Sequence, residues 1–309
     1  MRPNGAVLII PAWVLVALVV SVPASAQSRT KSDSDGKVDL SLSASPIYQF
    51  ASDLDGGGDY RASRYFLRAD ASTEIGESLE LGLGFSYDYE DYDFSGSTAF
   101  AGPDPWDQVH RVGFGAKLLY RIVKDWTLLI GPSLEFSRES GADWGDASTY
   151  GGVISATHRV NRNLTIGAGV GVFSGLEEVK AFPLIFVNWR ISERLRLSNP
   201  LRVGPAGPAG LELVYKLGEN WEIGGGAAYR SFRFRLDDQG VVPDGIGEVK
   251  FVPFWGRVSR KLGAHFTFDF YAGAFLAGEL TIEDSNGNEL GSADHDPAPF
   301  SALTVSGRF

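Results

Sequence analysis

Several long stretches of this chain alternate apolar and polar residues with a period of two. Leu79, Leu81, Leu83, Phe85, Tyr87 and Tyr89 interleave with Glu80, Gly82, Gly84, Ser86 and Asp88. Val112, Phe114, Ala116, Leu118 and Tyr120 interleave with Gly113, Gly115, Lys117 and other polar positions, and Leu164–Val172 and Phe266–Leu276 repeat the pattern. Side chains on a strand point to alternate faces, so each stretch predicts a strand with one apolar face. About a dozen such stretches in series, a strong signal, run from residue 38 to residue 309.

The connections come in two alternating kinds. Short turns fall at Gly76-Glu77, Lys124-Asp125, Asn161–Asn163, Glu193-Arg194, Glu219-Asn220 and Gly263-Ala264, and mostly longer links rich in Gly, Pro and Asp lie between them. Six short turns and seven long links give 14 strands, an even number that closes an antiparallel sheet. The weak point is Leu195–Leu217, where Pro205–Gly210 could replace a strand pair and leave 12. The predicted fold is all-β, a transmembrane antiparallel up-and-down β-barrel over 38–309. Leu83, Phe114, Val170, Phe268 and Val305 should face lipid. Trp126 and Trp221 after short turns, and Tyr120, Trp189 and Tyr215 before them, suit one membrane interface.

The chain ends matter to where such a barrel goes. Arg2, the apolar run Ala6–Val20 and Ala24-Ser25-Ala26 read as a secretory signal peptide over 1–26, followed by a polar, disordered tail over 27–37. The final strand, Leu303–Phe309, alternates and ends on an aromatic. Export and a closing strand of that kind place the protein in a bacterial outer membrane, with lipid and lipopolysaccharide around it. The strand ending at Phe309 would engage the barrel-assembly machinery. Cysteine is absent, so disulfides and a lipidated N-terminal Cys are ruled out.

Charge narrows the partners. The net charge is −10, and five segments, 51–60, 90–108, 139–149, 237–247 and 283–298, hold 19 of the 38 acids without one Lys or Arg. No basic patch serves a nucleic acid. These acidic segments read as outer loops, which repel aggregation or share divalent cations with lipid phosphates. Asp284, Asn286 and Asn288 resemble the start of a calcium loop, but Gly287 is one position early and the distal Glu is missing; Asn286-Gly287 reads better as a hairpin turn.

Two irregularities stand out. Pro46, Pro132, Pro183 and Pro253 fall inside predicted strands, and each implies a bulge or local break. Phe232, Phe234 and Leu236 sit on the opposite parity from Trp221, Ile223 and Tyr229. A bulge near Arg230-Ser231 would restore the pattern and put Arg230, Arg233 and Arg235 together on the lumen side.

Gly207–Leu213, Tyr229–Asp237, Gly245–Glu248 and Asp296–Phe300 resemble an uncharacterised bacterial family, a domain of unknown function predicted to form an outer-membrane β-barrel. The resemblance is densest from Asn199 to Phe309 and implies the same architecture, without a substrate or catalytic residues.

By parity, the lumen carries Arg64, Arg68, Asp70, Glu80, Arg111, Lys117, Glu135, Arg190, Arg230, Arg233, Arg235 and Asp269. Such a lining either selects permeants or pairs across a filled interior. Lumen glycines such as Gly82, Gly113 and Gly171 leave open space or relieve curvature. Phe66, Phe173, Phe182, Leu184, Phe186 and Phe254 form an apolar set on the same parity, suited to an inserted loop or an amphipathic ligand. Among the four His, only His295, between Asp294 and Asp296, resembles an acid–base cluster, and no GxSxG, HExxH or phosphate loop accompanies it. No cofactor or metal is expected. The expected function is porin-like: passive or weakly selective passage of small hydrophilic solutes. The alternatives are a closed barrel serving structure or attachment, and an outer-membrane barrel enzyme.

Overall fold

The computed structural model describes residues 37–100, 104–199, 204–207 and 209–309. The expected signal peptide and all but Lys37 of the expected tail lie outside the described residues. The strands are β1 (Val38–Asp53), β2 (Asp59–Ile75), β3 (Leu79–Ser95), β4 (Gln108–Val123), β5 (Trp126–Glu139), β6 (Ser148–Arg159), β7 (Leu164–Gly175) and β8 (Glu178–Arg190). They continue with β9 (Leu195–Ser198), β10 (Gly210–Lys216), β11 (Trp221–Ala228), β12 (Arg230–Arg235), β13 (Ile246–Leu262), β14 (Phe266–Glu283), β15 (Glu289–His295) and β16 (Ala298–Arg308).

Fourteen of these form a closed antiparallel ring. Each strand from β1 to β10 pairs with the next; β11 then pairs with β13, β13 with β14, β14 with β16, and β16 with β1. Backbone bonds between Leu40 and Phe309, 3.0 and 2.9 Å, finish the last seam. All six expected short turns are present at one end. Parity holds around the wall. Leu83 is 70% exposed and Phe114 50%, Val170 is exposed, and Phe268 and Val305 are half-exposed partners on the outer face. Trp126, Trp189, Trp221, Tyr120 and Tyr215 are exposed near the short turns. A continuous outward apolar belt on a closed ring is stable only against lipid, because nothing else on the molecule covers it.

The four prolines sit where ladders lapse. Pro46 is skipped in the β1–β16 ladder and Pro132 in the β4–β5 ladder, in both cases without a register change. Pro183 lies on the part of β8 that pairs only with β7 among the described residues. Pro253 directly follows a register shift between Lys250 and Val252, in the gap between the β12 and β11 ladders on the other side of β13. A missing N–H is tolerated at each of these places. The doubtful Leu195–Leu217 region keeps its strand pair, but β9 has only 4 residues and β10 only 7.

The two strands outside the ring build a cap at the end opposite the short turns. β12 pairs with Ile246–Phe251 of β13, and β15 pairs with the last six residues of β14. Opposite the Lys250/Val252 shift, Ala277 takes φ 47°, a left-handed conformation that costs an alanine about 1–2 kcal/mol and bends the sheet. The bent sheet crosses the mouth, and Arg235 of β12 pairs in parallel with Arg138 of β5. Its apolar face carries Phe232, Phe234, Val249, Phe251, Leu280 and Ile282, all buried. That face packs on Tyr60, Phe66, Tyr92, Phe94 and Trp106 from the opposite side. Each large side chain so buried contributes about 1.5–3 kcal/mol, so the cap is a packed core and not a loose loop.

The cap corrects the expected bulge at Arg230-Ser231. Ala227 opposes Phe254 and Arg230 opposes Phe251, so β11 and β12 share one register against β13. Phe232 and Phe234 keep the lumen parity of Gly224 and Gly226, and they are apolar because the lumen at that height is filled by protein. The arginines therefore do not cluster: Arg230 shares the face of Phe232, while Arg233 and Arg235 lie on the opposite, polar face.

Candidate functional site

Beneath the cap core lies a layer of paired charges contributed by β2, β3, β4 and β5. Arg64, 1% exposed, donates from Nε to Glu90 at 2.9 Å and from Nη1 to Gln49 at 2.8 Å. Arg68 forks onto Asp88, with Nη2 at 3.0 Å from Oδ2 and a second, shorter contact from Nη1 to Oδ1. Arg111 lies 3.2 Å from both Asp88 and Glu90 and 3.4 Å from Glu135. Alternation explains the layer: Arg64 and Arg68 on β2, Asp88 and Glu90 on β3, and Arg111 on β4 all point inwards, and the register sets Arg64 opposite Glu90 and Asp88 opposite Arg111. Arg230 enters the layer from β12 and stacks on Phe66 and Phe232, 5.8 and 4.6 Å from the ring centroids.

A second group lies on the polar face of the cap. Arg233 forks onto Glu283 with both contacts at 2.7 Å, and also reaches Glu248 and Glu178 at 3.3 Å. Lys180 of β8 lies 3.0 Å from Glu178 and 3.3 Å from Glu248, and the Ser231 hydroxyl donates to Glu248 at 2.7 Å. Arg235 donates to Glu177 at 3.0 Å and to the carbonyls of Asp146 and Asp244. These contacts tie the cap to the β7–β8 hairpin. Between this face and β4–β8 is a cavity of ≈ 40 Å³ lined by Arg111, Glu135, Phe173, Lys180, Ser231 and Arg233, among others. It is a narrow crevice lined by both charged and apolar groups, with room for a few waters.

A third group crosses β10, β13 and β14. Arg257 donates to Glu212 at 2.7 and 3.0 Å and to Asp269 at 2.7 Å, and the Trp255 indole donates to Glu212 at 3.2 Å.

The remaining expected lumen residues lie nearer the short turns. Lys117 pairs with Glu80 at 2.7 Å, and Asp70 is half-buried. Arg190 is exposed at the barrel's end, beside a separate cavity of ≈ 110 Å³. The apolar set divides. Phe66 belongs to the cap core, while Phe173, Phe182 and Leu184 line the inner wall with Leu119, Leu129 and Val153. Phe254 is 58% exposed and faces outwards, because on β13 the inward parity belongs to Pro253, Trp255 and Arg257. Lumen glycines do not leave open space at the positions that matter most. A Cβ on Gly171 would stand 2.6 Å from the Phe182 ring, and one on Gly82 would stand 2.8 Å from Lys117 Cε. Glycine is there so that a neighbouring side chain can lie across it.

Glu90, Glu212, Glu248 and Arg257 were missed by the sequence reading. Glu90 opens the acidic segment 90–108 in the sequence but lies within β3, on the same inward parity as Asp88. Arg257 shares parity with Trp255, but the cap strand obscured the frame of β13.

His295 does not form an acid–base pair with its flanking aspartates. Its Nδ1 donates to the Asp296 carbonyl at 2.6 Å, an oxygen that also accepts from Ser52, and its ring meets Tyr60 edge-on at 5.2 Å. Nε2 faces the backbone of Gly278, and burial holds the imidazole pKa below the ordinary histidine value. Asp284 spends its carboxylate on the amides of Asn286 and Asn288 and on the Asn288 side chain, each at 2.9 Å, so it closes the β14–β15 turn.

No family model matches the chain, and no curated protein does. Among solved structures, an outer membrane channel from Pseudomonas putida F1 is similar at 10% identity over 91% of this chain and 100% of that one, with a TM-score of 0.48. The P. putida toluene transporter TodX matches at 10% identity over 89% and 90%, TM-score 0.42. The KdgM porin matches at 11% identity over 86% and 99%, TM-score 0.34. Likenesses this distant add no argument, and the architecture rests on the strand ladder itself.

Proposed function

We propose that the barrel is an outer-membrane passage for ions and small hydrophilic solutes, narrow at rest and weakly selective. The observation that carries this reading is the crevice beside the cap. Charged groups line it from both sides, Lys180 and Glu178 across from Arg233, beside the Phe173 and Phe232 rings, whereas the rest of the mouth is closed by aromatic packing. A wall serving structure alone has no need of charged groups lining a gap between two elements. In this reading the acidic loops and the cap face outside and the six short turns face the periplasm. Lipid and lipopolysaccharide surround the belt, and the strand ending at Phe309 is the handle for barrel assembly.

The second reading is a closed barrel for structure or attachment, favoured by the density of the cap core and by the ion pairs that pin it to β7–β8. Swelling of proteoliposomes in isotonic solutions of graded solutes separates the two. Entry of the smallest solutes with exclusion of disaccharides fits the passage; no swelling with any solute fits the closed barrel.

A further inference from the structure

The charged layer beneath the cap does not balance. Four guanidiniums, Arg64, Arg68, Arg111 and Arg230, meet three carboxylates, Asp88, Glu90 and Glu135. Arg64, Arg68 and Arg111 all have carboxylate partners. Arg230 is 4% exposed and, among the described residues, has no carboxylate within ion-pair distance and no hydrogen-bond acceptor for its Nε. The Nη2 atoms of Arg64 and Arg111 are also buried without an acceptor. Arg111 and Arg230 both stack on Phe232, at 4.3 and 4.6 Å from its centroid. Gly207 lies against the Arg230 guanidinium with no room for a Cβ, and it takes φ +66°. The layer therefore holds one more guanidinium than carboxylate and three donors without an acceptor, Nε of Arg230 and Nη2 of Arg64 and Arg111. A buried donor left without an acceptor is costly, so the layer is suited to take one up.

We infer that Arg230 binds a small monovalent anion, with a short-chain carboxylate as the best-matched class, since a carboxylate accepts two parallel bonds from a guanidinium fork. Asp88 and Glu90 disfavour multivalent anions by repulsion across the layer. Phe66 and Phe232 exclude bulky groups. Arg230 lies on the other face of the cap from the crevice, so the inference goes beyond the passage reading, and binding stands whether or not the barrel conducts.

The test uses trifluoroacetate as a ¹⁹F NMR probe with the folded, full barrel in detergent. The wild type should broaden the probe signal saturably, and acetate should compete. Arg230→Gln should weaken binding about tenfold or more, the loss expected for charge-assisted hydrogen bonds. Arg230→Lys, which keeps the charge and loses the fork, should fall between. Arg260→Gln, on the outer wall, should bind as the wild type does. Retained heat-modifiable gel mobility checks that each variant is folded. Absence of saturable binding in the wild type, or equal binding by Arg230→Gln, overturns the inference. Binding in a barrel that passes no solute refutes only the passage; solute passage without binding refutes only the anion site.

Discussion

Replacing Arg257 with methionine removes the one cation between two buried carboxylates. Glu212 and Asp269 have side chains only 3% and 2% exposed, and Arg257 supplies three bonds of 2.7 to 3.0 Å to them. Taking away one partner of a buried pair strands the other charge, and costs about 3–5 kcal/mol. Neutralising the whole set should cost far less, because no charge is then left without a partner. Arg257→Met should therefore lower unfolding free energy by about 3–5 kcal/mol, while Arg257→Met with Glu212→Gln and Asp269→Asn should recover most of that loss. The assay is urea unfolding of the protein folded into lipid vesicles, followed by tryptophan emission, to which Trp255 against Glu212 contributes directly. The reasoning fails if the single variant stays within about 1 kcal/mol of wild type, or if the triple variant is as unstable as the single one.

Leu83→Arg, on the lipid face, should cost about 2–4 kcal/mol in the same assay. Phe275→Ala should cost about 3–5 kcal/mol and loosen the cap, because its ring lies tilted against Phe251 at 4.4 Å and stacks on Phe300 at 4.3 Å; faster proteolysis within 236–245 would report it. A cysteine at Ser292 should react with an impermeant thiol reagent on intact cells and one at Asn220 should not; the opposite result reverses the proposed sidedness. The side-chain and backbone bonds of Asn288, then those of Asn286, hold the Asp284 carboxyl below the usual range. A depressed carboxyl stabilises above its unfolded pKa, and that contribution is lost as pH falls through the folded value. Protection of the Asn286 and Asn288 amides, taken as exchange relative to the intrinsic rate at each pH, should therefore fall only in acid, and Asp284→Asn should abolish that fall.

Much of the wall was legible because period-two alternation decides which face meets lipid, and a closed ring has no edge to complicate it. Strand number, the short turns, the lipid-facing residues and most charged lumen positions follow from that parity. The cap was not legible, for a physical reason. When a wall strand leaves the ring and turns inwards, its lumen face becomes a core and its lipid face lines a crevice. Phe232 and Phe234 then look out of frame, although β11 and β12 share one register. The same turn separated Arg230 from Arg233 and Arg235. Parity could not have shown that, since it places residues on faces and says nothing of what packs against those faces.

In the passage reading, solutes cross beside the cap, along the crevice lined by Glu178, Lys180 and Arg233. Planar-bilayer recording of a Glu178→Cys variant, before and after a bulky cationic thiol reagent, tests it most directly. Glu178 lies at the rim with a side chain 44% exposed, and so is open to the reagent. Small, discrete conductance steps that fall sharply on modification are expected. Absence of steps at any voltage, or steps unchanged by modification, would contradict the account.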